Sequence, residues 1–490
     1  MKYDIIIIGS GLGGLECAHI LSSAGKSVLV LEQAEQAGGC MQSYTRRKLK
    51  QDTGFHYVGG LQEGQSLHNI FKHLGLLKLP WHKLDNEFDR ILIGDRSFAI
   101  VQGYDAFVDT LALEFPTERA ALLRYAHKLE LSLRQQFALL NPAGNAFSEP
   151  HIDFETNAWQ YLQETFHDPM LVNVLSAASL KMELNKESLP LFTFTHGNSS
   201  FIESSWRLKG DGSLIVDSLI SDIRAQGGKI ICNAGVTELV EKDGKVVQAH
   251  CTDGETYEAD VFISDVHPAL TCDLVKGSNK MKSYCKRMHR LQNTHGIFTA
   301  SLCIRPGALR YFNYNQFIYK RPDVWTFHLG NAPVSGVMAS SRVPEDGSEY
   351  VRQIDLLTPM AWDSCKAWED TKPGRRGEDY KAMKNRMAGE CISLAENAIP
   401  GLREMVSDCY TSTPLTYNSY LNSPGGTAYG VRKDCRNPLM TLLSVRTPLP
   451  NLLLTGQNLI LHGVHGVTVT SLFTCAEILG KEPVWKIITN

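Results

Sequence analysis

The first forty residues, Met1–Cys40, constrain this chain more than any other stretch. Tyr3–Ile8 is an isoleucine-rich apolar run, long enough for one buried strand. It leads directly into Gly9-Ser10-Gly11-Leu12-Gly13-Gly14, which satisfies G-x-G-x-x-G. A helical stretch follows, with Leu15, Ala18 and Leu21 spaced for one face, and it ends at Gly25. Ser27–Leu31 is a second apolar strand, closed by Glu32. Such glycines allow a tight turn and let backbone N–H groups approach a pyrophosphate at a helix N-terminus. Glu32 lies close to the ~20-residue offset at which a carboxylate accepts a ribose 2′-OH. It would repel a 2′-phosphate, which argues against NADP here. The glycine pattern alone is weak evidence. Strand, turn, helix, strand and acid in this order predict a dinucleotide-binding unit.

Bulk properties narrow the class. The 490 residues allow two or three domains with ample core, and 43% hydrophobic with 21% charged residues describe an ordinary globular protein. A net charge of −3 gives no reason to expect a nucleic-acid binder. The 12 cysteines contain no C-x-x-C pair, so reduced thiols are expected rather than disulfides or zinc. No metal site is expected. No apolar run approaches ~20 residues, and Met1 stands close to the first strand. The expectation is a cytoplasmic protein, with peripheral membrane contact left open.

Further along, Tyr44–Lys50 is basic, and Asp52-Thr53-Gly54-Phe55-His56-Tyr57-Val58-Gly59-Gly60 brackets an aromatic–histidine cluster with glycines, which suits backbone passing close to a ligand. Thr117–Leu140 predicts a helix with Leu122, Ala126, Leu129, Leu133 and Phe137 on one stripe. Asp168-Pro169 reads as an N-cap and first turn of another helix running towards Leu180. Leu189–Phe201 is rich in Phe, Thr and Ser and carries no catalytic motif. A helix at Leu214–Gln226 and strands at Lys229–Cys232, Gly235–Glu241, Val246–Thr252 and Ala259–Ser264 fit the second half of a nucleotide-binding fold. Ile297–Ile304 and Gln316–Tyr319 read as strands, and Asp379–Ala398 as a helix. Near the end, Leu452–Thr455 is a strand, Leu459–Gly466 a loop and Val467–Leu479 a helix.

These pieces predict an α/β chain: a discontinuous, Rossmann-like nucleotide domain over 1–75, 207–270 and 446–490, with an inserted mixed α+β substrate domain over 76–206 and 271–445. The N-terminal pattern, extended by Gly38-Gly39, resembles the FAD-binding, glutathione-reductase-like flavoproteins. With Gly38-Gly39-Cys40, Asp52–Tyr57, Thr413-Pro414-Leu415-Thr416, Gly426-Thr427-Ala428-Tyr429-Gly430 and Leu454-Thr455-Gly456-Gln457-Asn458, the chain resembles the carotenoid desaturase, carotene isomerase and retinol saturase family, nearest its all-trans-retinol 13,14-reductase branch. The resemblance implies non-covalent FAD. It implies that Gly9, Gly11, Gly14, Glu32, Gly38 and Gly39 contact the ADP half, that the backbone of Val236 meets the adenine, and that Gly456, Asn458 and Val467, at the start of the last helix, serve the flavin. Relatives often carry an acid at the position of Asn458 and a basic residue at that of Cys40; the second departure is shared with the saturase branch.

Flavin supplies the redox step, so the chain must exclude water, hold the substrate and, for saturation, place a proton donor. His56, His462 and His465 are the titratable residues in segments expected near the flavin. Each is equally well read as a structural histidine bonded to backbone. No second G-x-G-x-x-G follows a strand, so electrons must come from a transient NAD(P)H, a protein donor or a lipid quinone, or the flavin cycles without net redox as an isomerase. The expected substrate is a lipophilic polyene or isoprenoid taken from a membrane surface, with docking through Arg46–Lys50 and an aromatic lobe of Trp159, Tyr161, Phe166, Phe192, Phe194 and Phe201. A flavin amine oxidase and a non-enzymatic prenyl-binding protein of the GDP-dissociation-inhibitor type are the alternatives.

Overall fold

The computed structural model describes residues 2–46, 49–144, 153–326 and 333–490. Lys2–Ile8 lies between Val28–Leu31 and Thr256–Ser264, parallel to both, with Ile5 opposite Val28 and Val261. Lys229–Ile231 extends the sheet beyond Val28–Leu31, and Leu452–Leu454 pairs in parallel with the last residues of Thr256–Ser264. The ribbon Val236–Lys242 and Lys245–Cys251 is antiparallel and meets the first residues of that same strand. The continuous isoleucine run is explained by burial on both faces. Ile5 and Ile7 pack with Leu15, Leu219 and Leu472 under the helices, while Ile6 and Ile8 pack with Leu239 and Leu449 on the opposite face. Alternate side chains of one strand therefore feed two cores.

A second sheet runs in the order Val406–Ser412, Gly296–Ile304, Gln353–Met360, Gly336–Ser341, Asn315–Tyr319, Glu87–Ile93, Arg96–Val101. Asn315–Tyr319 is parallel to Glu87–Ile93, with Asn315 opposite Asp89, so two segments far apart in sequence share one sheet. Sequence reading places two of these seven strands. The others escape it because polar residues are buried in them with side-chain partners: Ser301 Oγ donates to Asp355 at 2.6 Å, and Asn315 Nδ2 to Asp89 at 2.8 Å.

The expected helices form with small shifts at their ends. Arg119–Gln135 carries the buried stripe Leu122, Ala126, Leu129 and Leu133, flanked by single turns at Pro116–Glu118 and Ala138–Leu140. Asp168 caps Pro169–Ala177, its Oδ1 accepting from Met170 N at 2.7 Å, and the chain continues as a tighter turn, Ala178–Lys181. The Phe/Thr/Ser-rich stretch is the helix Leu191–Glu203. Its residues are mediocre helix formers. Burial holds it, and Thr195 and Ser199 hydroxyls donate to carbonyls one turn back. Val58–Gly59 crosses this helix so closely that a Cβ on Gly59 would overlap the Ser200 carbonyl. Ser205–Leu208 then joins Val58–Gly59 and Trp81–Lys83 in a small antiparallel sheet between the two large ones.

One expectation about the surface does not survive, and a second falls partly outside the described residues. Phe166, Phe192 and Phe194 are buried, and Trp159, Tyr161 and Phe201 pack against the same core, so the aromatic lobe is core and offers no docking face. In the basic run, Arg47 and Lys48 lie outside the described residues. Among the described residues, no helix is long and apolar enough to cross a membrane.

Candidate functional site

A single long cavity connects the C-terminal edge of the first sheet to the face of the second. Its nucleotide end is lined by the glycine turn, Glu32 and Val236; its far end by Tyr57, Lys181, Phe201, Met338 and Leu357. The N-terminal residues of two helices, Leu12–Ser23 and Gly463–Leu479, face into it. Two helix N-termini on one cavity form a strong site for negative charge.

The glycine turn is shaped by close approach. An added Cβ on Gly13 would stand 3.0 Å from Gly456 Cα, and one on Gly39 would stand 3.1 Å from Gly11 Cα. The first and last nucleotide-binding segments therefore touch backbone to backbone at the cavity wall. Glu32 locks the turn: its Oε2 accepts from Ser10 N at 2.9 Å and Ser10 Oγ at 2.5 Å, and its Oε1 from Ala34 N at 2.8 Å. A carboxylate offers about four acceptor positions, so one remains for a ribose hydroxyl. Ser10 O also accepts from Gly38 N at 3.0 Å, which draws the double glycine onto the turn. Gly9, Gly11 and Gly39 line the cavity. Gly14 and Gly38 do not: Gly14 packs against Gly9 O and Asp265, and Gly38 against Val216. Those two glycines pack against the chain behind the cavity wall.

Asp265 went unnoticed in the sequence. It follows the strand Thr256–Ser264, its N–H donates to Ile8 O at 2.8 Å, and its carboxyl accepts from Gly14 and Gly11 N–H. Burial pushes its pKa up to about 7. The only available signal was a carboxylate directly after an apolar strand, which looks like an ordinary turn residue.

At the far end the three expected histidines come to the same cavity, along with their neighbours. The helix expected at Val467–Leu479, which is followed by a further helix, Lys481–Thr489, starts at Gly463, four residues earlier. His462 is thus its N-cap and His465 lies in its first turn, so His465 is a helical rather than a loop residue. His462 Nε2–H donates to Lys181 O at 3.1 Å. His465 Nε2 is buried with no hydrogen-bond partner among the described residues, as are Thr193 Oγ1 and Ser200 Oγ on the neighbouring helix. Burial drives the pKa of His56 and His462 down to about 4 and that of His465 to about 3. All three are neutral near pH 7, which makes them donors or acceptors of hydrogen bonds but poor acids. Val467 is buried in the same helix, and Asn458 Oδ1 accepts from Val431 N at 3.2 Å, so the departure at 458 ties the cavity wall to the 413–431 segment.

The two remaining motifs are structural struts. Asp52 Oδ2 pairs with Arg342 at 2.8 Å and its Oδ1 accepts from Gly212 N at 2.8 Å, which fastens the Asp52–Tyr57 segment to both large bodies. Thr413 caps Pro414–Leu421 reciprocally with Thr416, and Tyr417 OH donates to Thr53 O at 3.3 Å. Lys181 and Asp89 were also missed by sequence reading; Lys181 Nζ donates to Tyr57 OH at 3.2 Å, and Tyr57 OH to Asp89 Oδ2 at 3.1 Å. No group of three or more His, Cys, Asp or Glu among the described residues is placed to hold a metal.

This cavity fits an extended dinucleotide carrying a flavin: an anion site at crossed helix N-termini, a ribose-directed carboxylate, and an apolar chamber beyond. Comparison with known proteins agrees. A family model described as flavin containing amine oxidoreductase matches residues 12–268. All-trans-retinol 13,14-reductase of Homo sapiens is 26% identical, covering 98% of this chain and 86% of that protein. Prolycopene isomerase 2, chloroplastic, of an Oncidium hybrid cultivar is 24% identical over 88% of this chain and 75% of that one. The crystal structure of an oxidoreductase from Methanosarcina mazei superposes with a TM-score of 0.62 at 17% identity, covering 96% of this chain and 99% of that one. The chain belongs to the flavin-containing amine oxidoreductases, and within them to the FAD-dependent carotenoid desaturase, carotene isomerase and retinol saturase family.

Proposed function

We propose that this FAD-dependent oxidoreductase acts on the C=C or C–C bonds of a lipophilic polyene or isoprenoid. The observation that carries this reading is the composition of the far chamber. Leu180, Met182, Ile297, Met338 and Leu357 line it, and the only carboxylates on the whole cavity wall, among the described residues, are Glu32 and Asp265 at the nucleotide end. A cationic amine would find no counter-ion in that chamber and would meet the Lys181 ammonium instead. An uncharged, elongated hydrocarbon meets only matching surface. The relatives named for retinol reduction and prolycopene isomerisation support the same substrate class.

In the bound state FAD supplies hydride transfer at its N5. The chain's part is to hold it. Glu32 would accept the ribose hydroxyl, Gly13 in the first turn of Leu12–Ser23 would present its backbone N–H to the pyrophosphate, Val236 would border the adenine, and the N-terminus of Gly463–Leu479 would favour negative charge on the flavin. Isomerisation without net redox is the second reading, favoured by the isomerase relatives. The test is anaerobic titration of the purified yellow protein. A polyene should perturb the flavin spectrum and reoxidise the reduced flavin, whereas putrescine should do neither. Spectral change with the amine alone replaces the polyene reading with amine oxidation.

We also propose peripheral contact with an anionic membrane, at a different place from the aromatic lobe. Lys286, Arg287, Arg290, Arg432 and Arg436 line one surface groove, and beside it Leu439 is 89% exposed with Met440 half-exposed. Basic groups flanking exposed apolar side chains suit an anionic bilayer surface. Flotation with anionic but not neutral liposomes is the expected result.

A further inference from the structure

We propose that Lys181 is the proton donor of the reaction, giving its Nζ proton to the carbon of the double bond that does not receive the hydride. The inference rests on the polyene reading above. It starts from position. Lys181 ends the turn Ala178–Lys181, and its carbonyl is held by His462 at the N-cap of Gly463–Leu479, so the residue is anchored beside the helix N-terminus that faces the cavity. Its side chain lines the chamber, with Nζ 3.8 Å from the Phe201 ring centroid and 3.2 Å from Tyr57 OH.

What surrounds the ammonium is as informative. No carboxylate pairs with it among the described residues. The nearest acid, Asp89, stands behind Tyr57, where it accepts from Tyr57 OH at 3.1 Å and from Asn315 Nδ2 at 2.8 Å. A structural lysine in such a place is normally paired, because an unpaired buried charge is costly. Here a ring face and one hydroxyl hold it, leaving an N–H free for the chamber. Burial lowers the pKa of Lys181 to about 8, whereas the cavity histidines are too weakly basic to be protonated near neutrality. An acid is most effective when its pKa lies near the working pH.

The balance is simple. One alkene carbon receives a hydride equivalent, two electrons and a proton, from reduced flavin. The other carbon receives the Nζ proton: one N–H bond breaks, one C–H bond forms, and the lysine is left as a neutral amine that regains a proton from water. A two-electron donor of the nicotinamide or quinone class restores the reduced flavin. In the reverse, desaturating direction the neutral amine takes the proton.

The experiment uses the flavin-loaded protein, reduced in the absence of oxygen and mixed with a polyene that perturbs the wild-type flavin spectrum. Reoxidation of the flavin is followed against pH in wild type, Lys181→Met and Lys181→Arg. The wild-type rate should fall as pH rises through about 8, with a solvent deuterium effect on the rate. Both variants should keep their FAD and the spectral response to polyene binding, yet lose about 10²–10⁴-fold in rate. The arginine variant separates proton donation from charge, since it keeps the cation and cannot release a proton. Retained rates, or an unchanged alkaline limb in either variant, overturn the role of Lys181 while leaving the polyene reading intact. If polyenes neither shift nor reoxidise the wild-type flavin, both proposals fall.

Discussion

Glu16 and Thr468 join the helices Leu12–Ser23 and Gly463–Leu479 through a carboxyl with no surface exposure: Thr468 Oγ1 donates to Glu16 Oε1 at 2.7 Å, and Ser471 Oγ to its Oε2 at 3.0 Å. The two helices are separated by more than four hundred residues, and both place their N-termini on the cavity. Burial raises the Glu16 pKa to about 8. A carboxyl that binds its proton more tightly when folded contributes stability that is complete below its ordinary value near 4.5. That stability is lost as pH rises to about 8.

The first prediction follows from that linkage. The Glu16 contribution to the melting temperature of the apo protein should decline between about pH 4.5 and 8, opposed below about pH 6.5 by the buried histidines, so the difference between wild type and variant isolates it. Glu16→Gln, which keeps the shape and a hydrogen-bonding head without the titration, should flatten that slope and stabilise the protein at pH 8. Differential scanning calorimetry across the window tests it; a slope unaltered in the variant assigns the pH dependence to other groups.

Glu32 gives the second. Its carboxylate serves the glycine turn through Ser10 and Ala34, and the proposed function adds a ribose hydroxyl to these partners. Removing one charged hydrogen bond to ligand weakens binding by roughly 1.5–3 kcal/mol, or about ten- to a hundredfold. Glu32→Ala should therefore lose FAD on dilution. Because Ser10 then loses its partner, the variant should also melt earlier without ligand. Glu32→Gln should recover part of both, and calorimetric titration with FAD measures the affinity.

The third concerns Asp265, held at the glycine turn by Gly11 and Gly14 N–H, with a pKa raised to about 7 by burial. A pyrophosphate arriving at that turn adds negative charge and favours the protonated acid. FAD binding should take up a proton above pH 7 and weaken with rising pH. Asp265→Asn should bind FAD with little pH dependence between 6 and 9. Equal pH dependence in wild type and variant would show that the acid stays protonated or ionised throughout.

How far the sequence reaches can be judged from particular residues. Ile5–Ile8, the glycine turn and Glu32 are legible because strand period, turn chemistry and charge all act locally there. The end of the chamber is not. Lys181, Asp89 and Asn315 come from three unconnected segments, and only the parallel pairing of Asn315–Tyr319 with Glu87–Ile93 assembles them. Glu16 is one charged residue in the first helix, and nothing nearby in the chain indicates that Thr468 and Ser471 cover it. The strands around Gln353 and Asp355 were invisible because buried polar pairs erase the alternation that reveals a strand. The start of the helix Gly463–Leu479 was placed late because glycines at 463 and 466 are poor helix formers. Here Gly463 opens the helix with a φ of +74°, which favours glycine, and Gly466 lies against the backbone of Leu461, where a side chain would overlap.

The last prediction concerns the cavity histidines. With pKa values near 4, 4 and 3, His56, His462 and His465 stay neutral across the physiological range. Their replacement by glutamine should remove no limb from the pH–rate profile between 5 and 9. Each should nevertheless differ in effect. His462→Gln disturbs the bond to Lys181 O that fixes the turn Ala178–Lys181, so kcat should fall while FAD content holds. Gln reaches less rigidly than imidazole, and a loss of about tenfold matches one displaced hydrogen bond of roughly 1–1.5 kcal/mol. His465 Nε2 has no hydrogen-bond partner among the described residues, so His465→Gln should change substrate affinity more than kcat. Steady-state kinetics at several pH values, with flavin content measured on the same samples, test both. Loss of an acid limb near pH 6 in any of the three variants would make that histidine a titrating group in the reaction.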